Sequence, residues 1–199
     1  MISKIVLISI GFVSLSCFGQ SSNIKTIIVN NYPPYTMVNE KGEPDGFSVD
    51  LARAVAQATG LSLSIEIGEW SAAMKSLQNG EIDMLPMMAY SIERDKTFDF
   101  SVPHTVAFDG IFERIGSPKI KGLEDLKAKR VIVMNSDQAH TYLTSHSNIQ
   151  IGELQLVKTL PEALKELSSG KADAAIMPML VGIIDAKNLK IENIDLSPT

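Results

Sequence analysis

A chain of 199 residues, 45% hydrophobic and 21% charged, can bury one large core or two small ones. Its formal charge of −5 excludes a nucleic-acid backbone or an anionic membrane as the main partner, but leaves room for a local basic site that takes a small acid. Cys17 is the single cysteine, which excludes an internal disulfide.

Lys4 and the apolar run Ile5–Ser16, with Cys17 and Gly19 as the small residues before a cut at Gln20, predict a signal peptide over residues 1–19 and an exported, periplasmic chain. A lipoprotein cut just before Cys17 is the alternative. The run is too short to span about 30 Å of hydrocarbon as an anchor. Thr26–Val29 then reads as a buried strand, and Asn30–Tyr35 as a proline-stiffened loop whose tyrosines, Tyr32 and Tyr35, either wall a pocket or cover the core. Lys41–Gly46 is a turn. A helix follows from Phe47 to Thr59, with Ser48 placed to cap it and Gly60 to stop it. Leu61–Ile67 alternates as a strand with one wet face, Trp70 follows, and a helix from Ser71 ends at Asn79–Gly80. Asp83–Ala89 reads as a buried strand stopped by Pro86. Strand and helix alternate, which predicts a parallel sheet with right-handed crossovers.

Ser91 caps a helix whose first turn holds Glu93 and Arg94. Arg94 has two readings: a fork of donors for an acid at the end of a strand, or a surface partner of Glu93 or Asp95. Val102–Ile115 reads as an extended connection between lobes, with Gly110 as its flex point. The grammar then restarts, with helices near 123–127, 139–145, 161–167 and 179–186 and strands near 131–134, 154–157 and 172–176. Ala73–Asp83 echoes Ala163–Asp173 as helix, glycine, strand, which predicts two lobes built alike. No spacing of His, Cys, Asp or Glu suggests a metal, and no cofactor is indicated.

Taken together, Tyr32-Pro33-Pro34-Tyr35, Gly46–Ala52, Trp70, Gly80-Glu81-Ile82-Asp83, Ser91–Arg94 and Phe100–Pro103 resemble the bacterial extracellular solute-binding proteins of family 3. That resemblance implies an α/β, two-lobed periplasmic-binding-protein-like fold, each lobe a mostly parallel sheet with helices on both faces and the second inserted in the first. It places lobe 1 at 24–107, lobe 2 at 108–193 and the start of a return crossing at 194–199, the remainder of lobe 1 being absent. It implies a monomer that captures a small carboxylate-bearing ligand, an amino acid or a similar acid, and delivers it to an ABC permease. The same module also looks like sensor domains of histidine kinases and, less closely, like cyclohexadienyl-dehydratase enzymes, for which His104, His140 and His146 with Glu93 are the acid–base candidates.

By the resemblance Arg94 receives the ligand carboxylate. This chain departs from the family at three places. The first-lobe hydroxyl positions hold Met87 and Ala89, the second-lobe anion loop reads Ser136-Asp137-Gln138, and the acid that receives an ammonium is replaced by Pro178. An ammonium would then be buried without a counter-charge unless Asp137 takes the role. The expected ligand is therefore an acid with a flat or apolar body, packed on Tyr32, Tyr35, Trp70, Met87, Met177 and Met179.

Overall fold

The computed structural model describes residues 23–197, so the leader and both cleavage alternatives around Cys17 lie outside the described residues, as do residues 198–199. In the first lobe β1 (Asn23–Val29) runs parallel to β4 (Ser62–Gly68), with Thr26 opposite Ile65. A short antiparallel ribbon of β2 (Met37–Val38) and β3 (Pro44–Asp45) leads into α1 (Phe47–Thr59), and α2 (Trp70–Gln78) follows β4. Val49, Ala52 and Ala56 form the buried stripe of α1, and the helix ends where Gly60 turns left-handed at φ 70°.

Ser48 does not cap that helix. Gly46 holds the N-cap position, at φ 111° and ψ 168°, while Ser48 is already inside the first turn and fully buried. Its N–H donates to the Tyr35 carbonyl at 2.9 Å and its hydroxyl to Met87 Sδ at 3.6 Å. Packing against the tyrosine loop thus takes the serine that sequence places at the cap.

The second lobe is one five-stranded sheet in the order β7 (Glu153–Val157), β6 (Arg130–Met134), β8 (Ala174–Pro178), β5 (Asp109–Arg114), β9 (Ile194–Leu196). Strands β7, β6 and β8 are parallel, and β5 runs antiparallel to both β8 and β9. It is flanked by α4 (Gln138–Ser145), α5 (Leu160–Ser168) and α6 (Met179–Asn188), and α5 turns Leu160, Ala163, Leu164 and Leu167 into the core. Asp137 caps α4 through Gln138 N–H, and Thr159 caps α5 through Glu162 N–H. One apolar cluster joins the lobes, from Tyr35 and Trp70 of the first to Met134, Ile132 and Leu164 of the second.

Two expectations change. Asp83–Ala89 forms no strand of its own: its start is bonded to β1 at Lys25 and Thr26, with one β-bridge, Thr26 to Met84, and no ladder beyond it. It has a neighbour on one side only, and Pro86 cannot donate to a ladder. Gly110 is no flex point: it lies within β5 opposite Met177, and a Cβ there would come within 2.6 Å of Leu196 Cδ1. Leu196 packs over the glycine and would have to shift for a larger residue. Ile194–Leu196, expected to start a crossing, lies antiparallel beside β5, with Ile194 opposite Arg114 and Leu196 opposite Phe112.

The internal echo corresponds to matched local geometry. After α2, Gly80 sits at φ 71°, and after α5, Gly170 sits at φ 86°. Asp83 then takes Lys25 N–H on Oδ2 at 2.7 Å while its own N–H donates back to the Lys25 carbonyl at 2.9 Å. Asp173 repeats this with Arg130, whose N–H donates to Oδ2 at 3.0 Å and whose carbonyl accepts from Asp173 N–H at 2.8 Å. The Arg130 guanidinium adds Nη2–H to Asp173 Oδ1 at 2.7 Å and holds the carboxyl down at about 2. Because that value lies below the unfolded carboxylate range, the pair stabilises the fold above about pH 4 and the contribution fades as pH falls toward 2. Thermal melts of Asp173→Asn should therefore show a lower Tm at neutral pH and a gap from the parent that closes in acid.

Candidate functional site

Between the lobes lies a cavity of about 750 Å³. Arg94 is the cation on its wall. It belongs to the single turn α3 (Ile92–Asp95), which starts where Ser91 Oγ accepts the Arg94 N–H at 3.2 Å. Its side chain is buried rather than paired with Glu93 or Asp95, so the surface reading of Arg94 is set aside. Nη1 donates to the Ala89 carbonyl at 2.9 Å, Nη2 to the Ser136 carbonyl at 3.0 Å, and the guanidinium carbon stands 5.6 Å from the Trp70 ring centroid. Nε is buried without a partner. Burial lowers the Arg94 pKa, opposed by Asp137, Tyr32 and Asp109; an arginine stays protonated through such a shift.

Ser136 is the second fixed point. It adopts φ 62°, its carbonyl accepts from both Arg94 and Trp70 Nε1, the latter at 2.8 Å, and its N–H donates to His140 Nδ1 at 3.0 Å. The backbone of one residue therefore ties α4 to two donors of the first lobe. Burial lowers the His140 pKa from its ordinary 6.5, and protonation at Nδ1 would remove the acceptor that Ser136 N–H uses. Lys75 of α2 and Glu93 and Arg94 of α3 face the same opening. With the folded pKa depressed, the neutral histidine stabilises the fold above pH 6.5, and that contribution is lost as pH falls below it. His140→Leu should flatten the dependence of Tm on pH between about 5 and 7, read by scanning fluorimetry.

The cavity brings together Tyr32, Trp70, Met87, Ala89, Asp137, Gln138 and Pro178 around Arg94. Tyr35 does not join them. Its ring is buried in the core, 6.1 Å from Tyr32 and 6.5 Å from Phe47. Ser136 presents its carbonyl to lobe 1 and borders the outer opening instead. Met177 is fully buried and Met179 lies off the cavity, so neither supplies the packing expected of it; Met134 and Leu85 stand on the wall in their place.

Asp109, which sequence reading passed over, also lines the cavity. It opens β5 directly opposite Pro178 of β8, the place where sequence reading finds an acid missing. Asp109 remains open to water on one side, yet burial by the surrounding walls, with Asp137 behind it, pushes its carboxyl up to about 6. Burial also raises Asp137, against the Gln138 N–H bond and Arg94, which lower it. Tyr32 is raised by burial and by both carboxylates. Two carboxyls thus line the cavity in the second lobe although Pro178 supplies none.

Of the acid–base candidates, His104 lines the cavity beside Phe47 at 6.2 Å, while Glu93 and His140 border the second opening and His146 packs on Tyr142 at 4.1 Å, so they are divided between two places. Among the described residues no cluster of His, Cys, Asp or Glu is placed to hold a metal ion, and no helix is long and apolar enough to cross a membrane.

Two α/β lobes with a buried guanidinium between them define the class of two-lobed binding proteins. The chain belongs to the bacterial extracellular solute-binding proteins, family 3, which it matches over residues 24–177. It is 27% identical over 154 residues to the L-cystine-binding protein TcyJ of Escherichia coli, an alignment covering 76% of this chain and 57% of that protein. The amino-acid-binding protein AabA of Dichelobacter nodosus is 27% identical over 75% of this chain and 60% of its own length. The chain thus spans less than two thirds of the length of these two relatives. Among solved structures, a histidine kinase sensor domain with similarity to periplasmic binding proteins superposes with a TM-score of 0.81 at 30% identity, covering 89% of this chain and 76% of that one. An ancestral arginine-binding protein bound to arginine gives 0.80 at 27%, covering 88% and 78%.

Proposed function

We propose that this protein is an exported, periplasmic solute-binding protein that captures a small carboxylate-bearing ligand between its lobes, acts as a monomer and serves an ABC-type importer. The observation that carries the reading is Arg94, buried on the cavity wall with one N–H unpartnered and aromatic packing from Trp70 on its face. A planar fork of donors suits a carboxylate, and a charge-assisted pair in a shielded cleft is strong. Ligand contacts to both lobes would favour the closed arrangement. The relatives named as amino-acid-binding and cystine-binding proteins support an amino acid or amino-acid-like acid as the ligand class. Binding without turnover is the reading that the dispersed histidines favour over a dehydratase. Native mass spectrometry of gently purified protein, followed by calorimetry with the species found, tests it: a bound small acid supports the reading, and turnover of that species into a product overturns it.

A sensor module is the second reading, supported by the fold likeness to a histidine kinase sensor domain. The two part on context. A neighbouring permease gene required for uptake of the ligand supports the importer, whereas ligand-dependent autophosphorylation of a linked kinase supports the sensor.

A further inference from the structure

We propose that His140 makes the hold between the lobes pH-sensitive: its neutral imidazole supports the Ser136 backbone that bridges them, and a proton taken up at Nδ1 releases that bridge, so the lobes part in acid. The inference concerns the separation of the lobes with or without a guest and goes beyond the ligand reading.

The bridge runs through one tight turn. Asp137 N–H donates to the Met134 carbonyl at 3.2 Å, which closes a four-residue turn with Ser136 in its third position at φ 62°. A left-handed third residue is ordinarily glycine or asparagine, so a serine has to be held there by its surroundings. On one side its carbonyl accepts Trp70 Nε1–H at 2.8 Å and Arg94 Nη2–H at 3.0 Å, both from the first lobe. On the other its N–H donates to His140 Nδ1 at 3.0 Å. Both interlobe bonds therefore depend on a backbone conformation that α4 supports through a single ring nitrogen.

The direction of that bond dictates the state of the ring. A backbone N–H can only donate, so Nδ1 presents its lone pair and the neutral imidazole carries its hydrogen on Nε2. A proton at Nδ1 sets donor against donor. Ser136 then loses its hold in the left-handed region, and the carbonyl that Trp70 and Arg94 share turns with it. Burial lowers the His140 pKa, in keeping with a ring that serves as an acceptor. Lys75 of α2 and Glu93 and Arg94 of α3 face the ring across the outer opening, and Asp137 and His146 stand at the two ends of its own helix. On β6, against which α4 packs, the charged residue is Arg130, tied to Asp173 at the far end of the strand. Among the described residues none of these groups bonds the ring. Closing thus favours the neutral imidazole, and a closing equilibrium linked to one proton weakens by about tenfold at most for each pH unit of acidification.

Trp70 is the only tryptophan of the chain and is itself one of the two donors, so its fluorescence reports the bridge directly. On the full chain without ligand, acidification from about pH 8 to about pH 5 should shift its emission to the red and enlarge the radius of gyration in small-angle scattering. Both should share one midpoint below about 6.5, with far-ultraviolet circular dichroism unchanged. In His140→Asn the amide oxygen takes the place of Nδ1 and accepts at every pH, so the blue emission and the smaller radius should persist throughout. His140→Leu offers no acceptor and should show the red emission and the larger radius already at about pH 8. His146→Gln should respond as the parent does. Burial pushes the carboxyls of Asp109 and Asp185 up to about 6 and about 7, and both remain in every variant. A response that persists in His140→Asn therefore belongs to them and overturns the proposal. A parent whose emission and radius stay constant overturns it too, as does a shift that comes with loss of the circular dichroism signal, which is unfolding. Should His140→Leu fail to fold, the parent and His140→Asn decide.

Discussion

Replacing Arg94 by alanine is expected to lower the affinity for the ligand by roughly 100-fold or more, since removing one partner of a buried charge pair costs about 3–5 kcal/mol. The loss has two parts. The carboxylate gives up its fork of donors, and the Ser136 carbonyl keeps only Trp70 Nε1 from the first lobe. Removing the guanidinium also removes the group that lowers Asp137 and Asp109, so both carboxyls rise further and stay protonated to higher pH. Lysine at this position should recover little. A single ammonium cannot reach the Ala89 and Ser136 carbonyls and a ligand in the fork geometry at once. Titration of parent, alanine and lysine forms with the co-purifying ligand checks the order; an affinity preserved in the alanine form would remove Arg94 from the site.

Gly46→Ala should be the most damaging single methyl in the first lobe, destabilising by about 2–4 kcal/mol. Its backbone sits at φ 111° and ψ 168°, a region that side chains scarcely enter, and a Cβ would lie 2.6 Å from the Tyr35 carbonyl oxygen and 3.0 Å from that of Pro34. Those are backbone atoms already engaged: Phe47 N–H donates to Pro34 and Ser48 N–H to Tyr35. The methyl therefore pushes the loop that carries Tyr32 and Tyr35, and binding should weaken along with stability. Gly42→Ala is the control. It has φ 81° with nothing within 4 Å of the added carbon, so only the backbone penalty of about 1 kcal/mol remains. Equal shifts in urea midpoint for the two variants would show that the clash contributes nothing.

Much of the scaffold was legible because local chemistry marks it. Ser91 before Arg94, Gly60 after Thr59 and Asn79-Gly80 after Gln78 punctuate helices through bonds made within a few residues. The paired segments ending at Asp83 and Asp173 were visible for the same reason. What escaped depends on partners distant in sequence. Asp109 lies in a run of β-branched and aromatic residues that reads as a connector, and only its pairing with Pro178 places it beside the cavity. Strand β8 is buried along its whole length, so alternation cannot tell that Pro178 meets the cavity while Met177 enters the core. Tyr35 differs from Tyr32 by one tight turn, in which Tyr35 N–H donates to the Tyr32 carbonyl, and that turn sends its ring inward. Arg94 and Trp70 were each recognisable, but the peptide that joins them to the far lobe was not, because Ser136 acts through its backbone.

That peptide sets the terms on which anything enters. Ser136 offers one oxygen to two nitrogens from across the gap, so directional bonds hold the halves against each other. Arg94 keeps N–H groups clear of that oxygen, Nε among them, so a carboxylate is received without releasing it. The strength measured for a guest then includes the bonds that fix the separation of the halves.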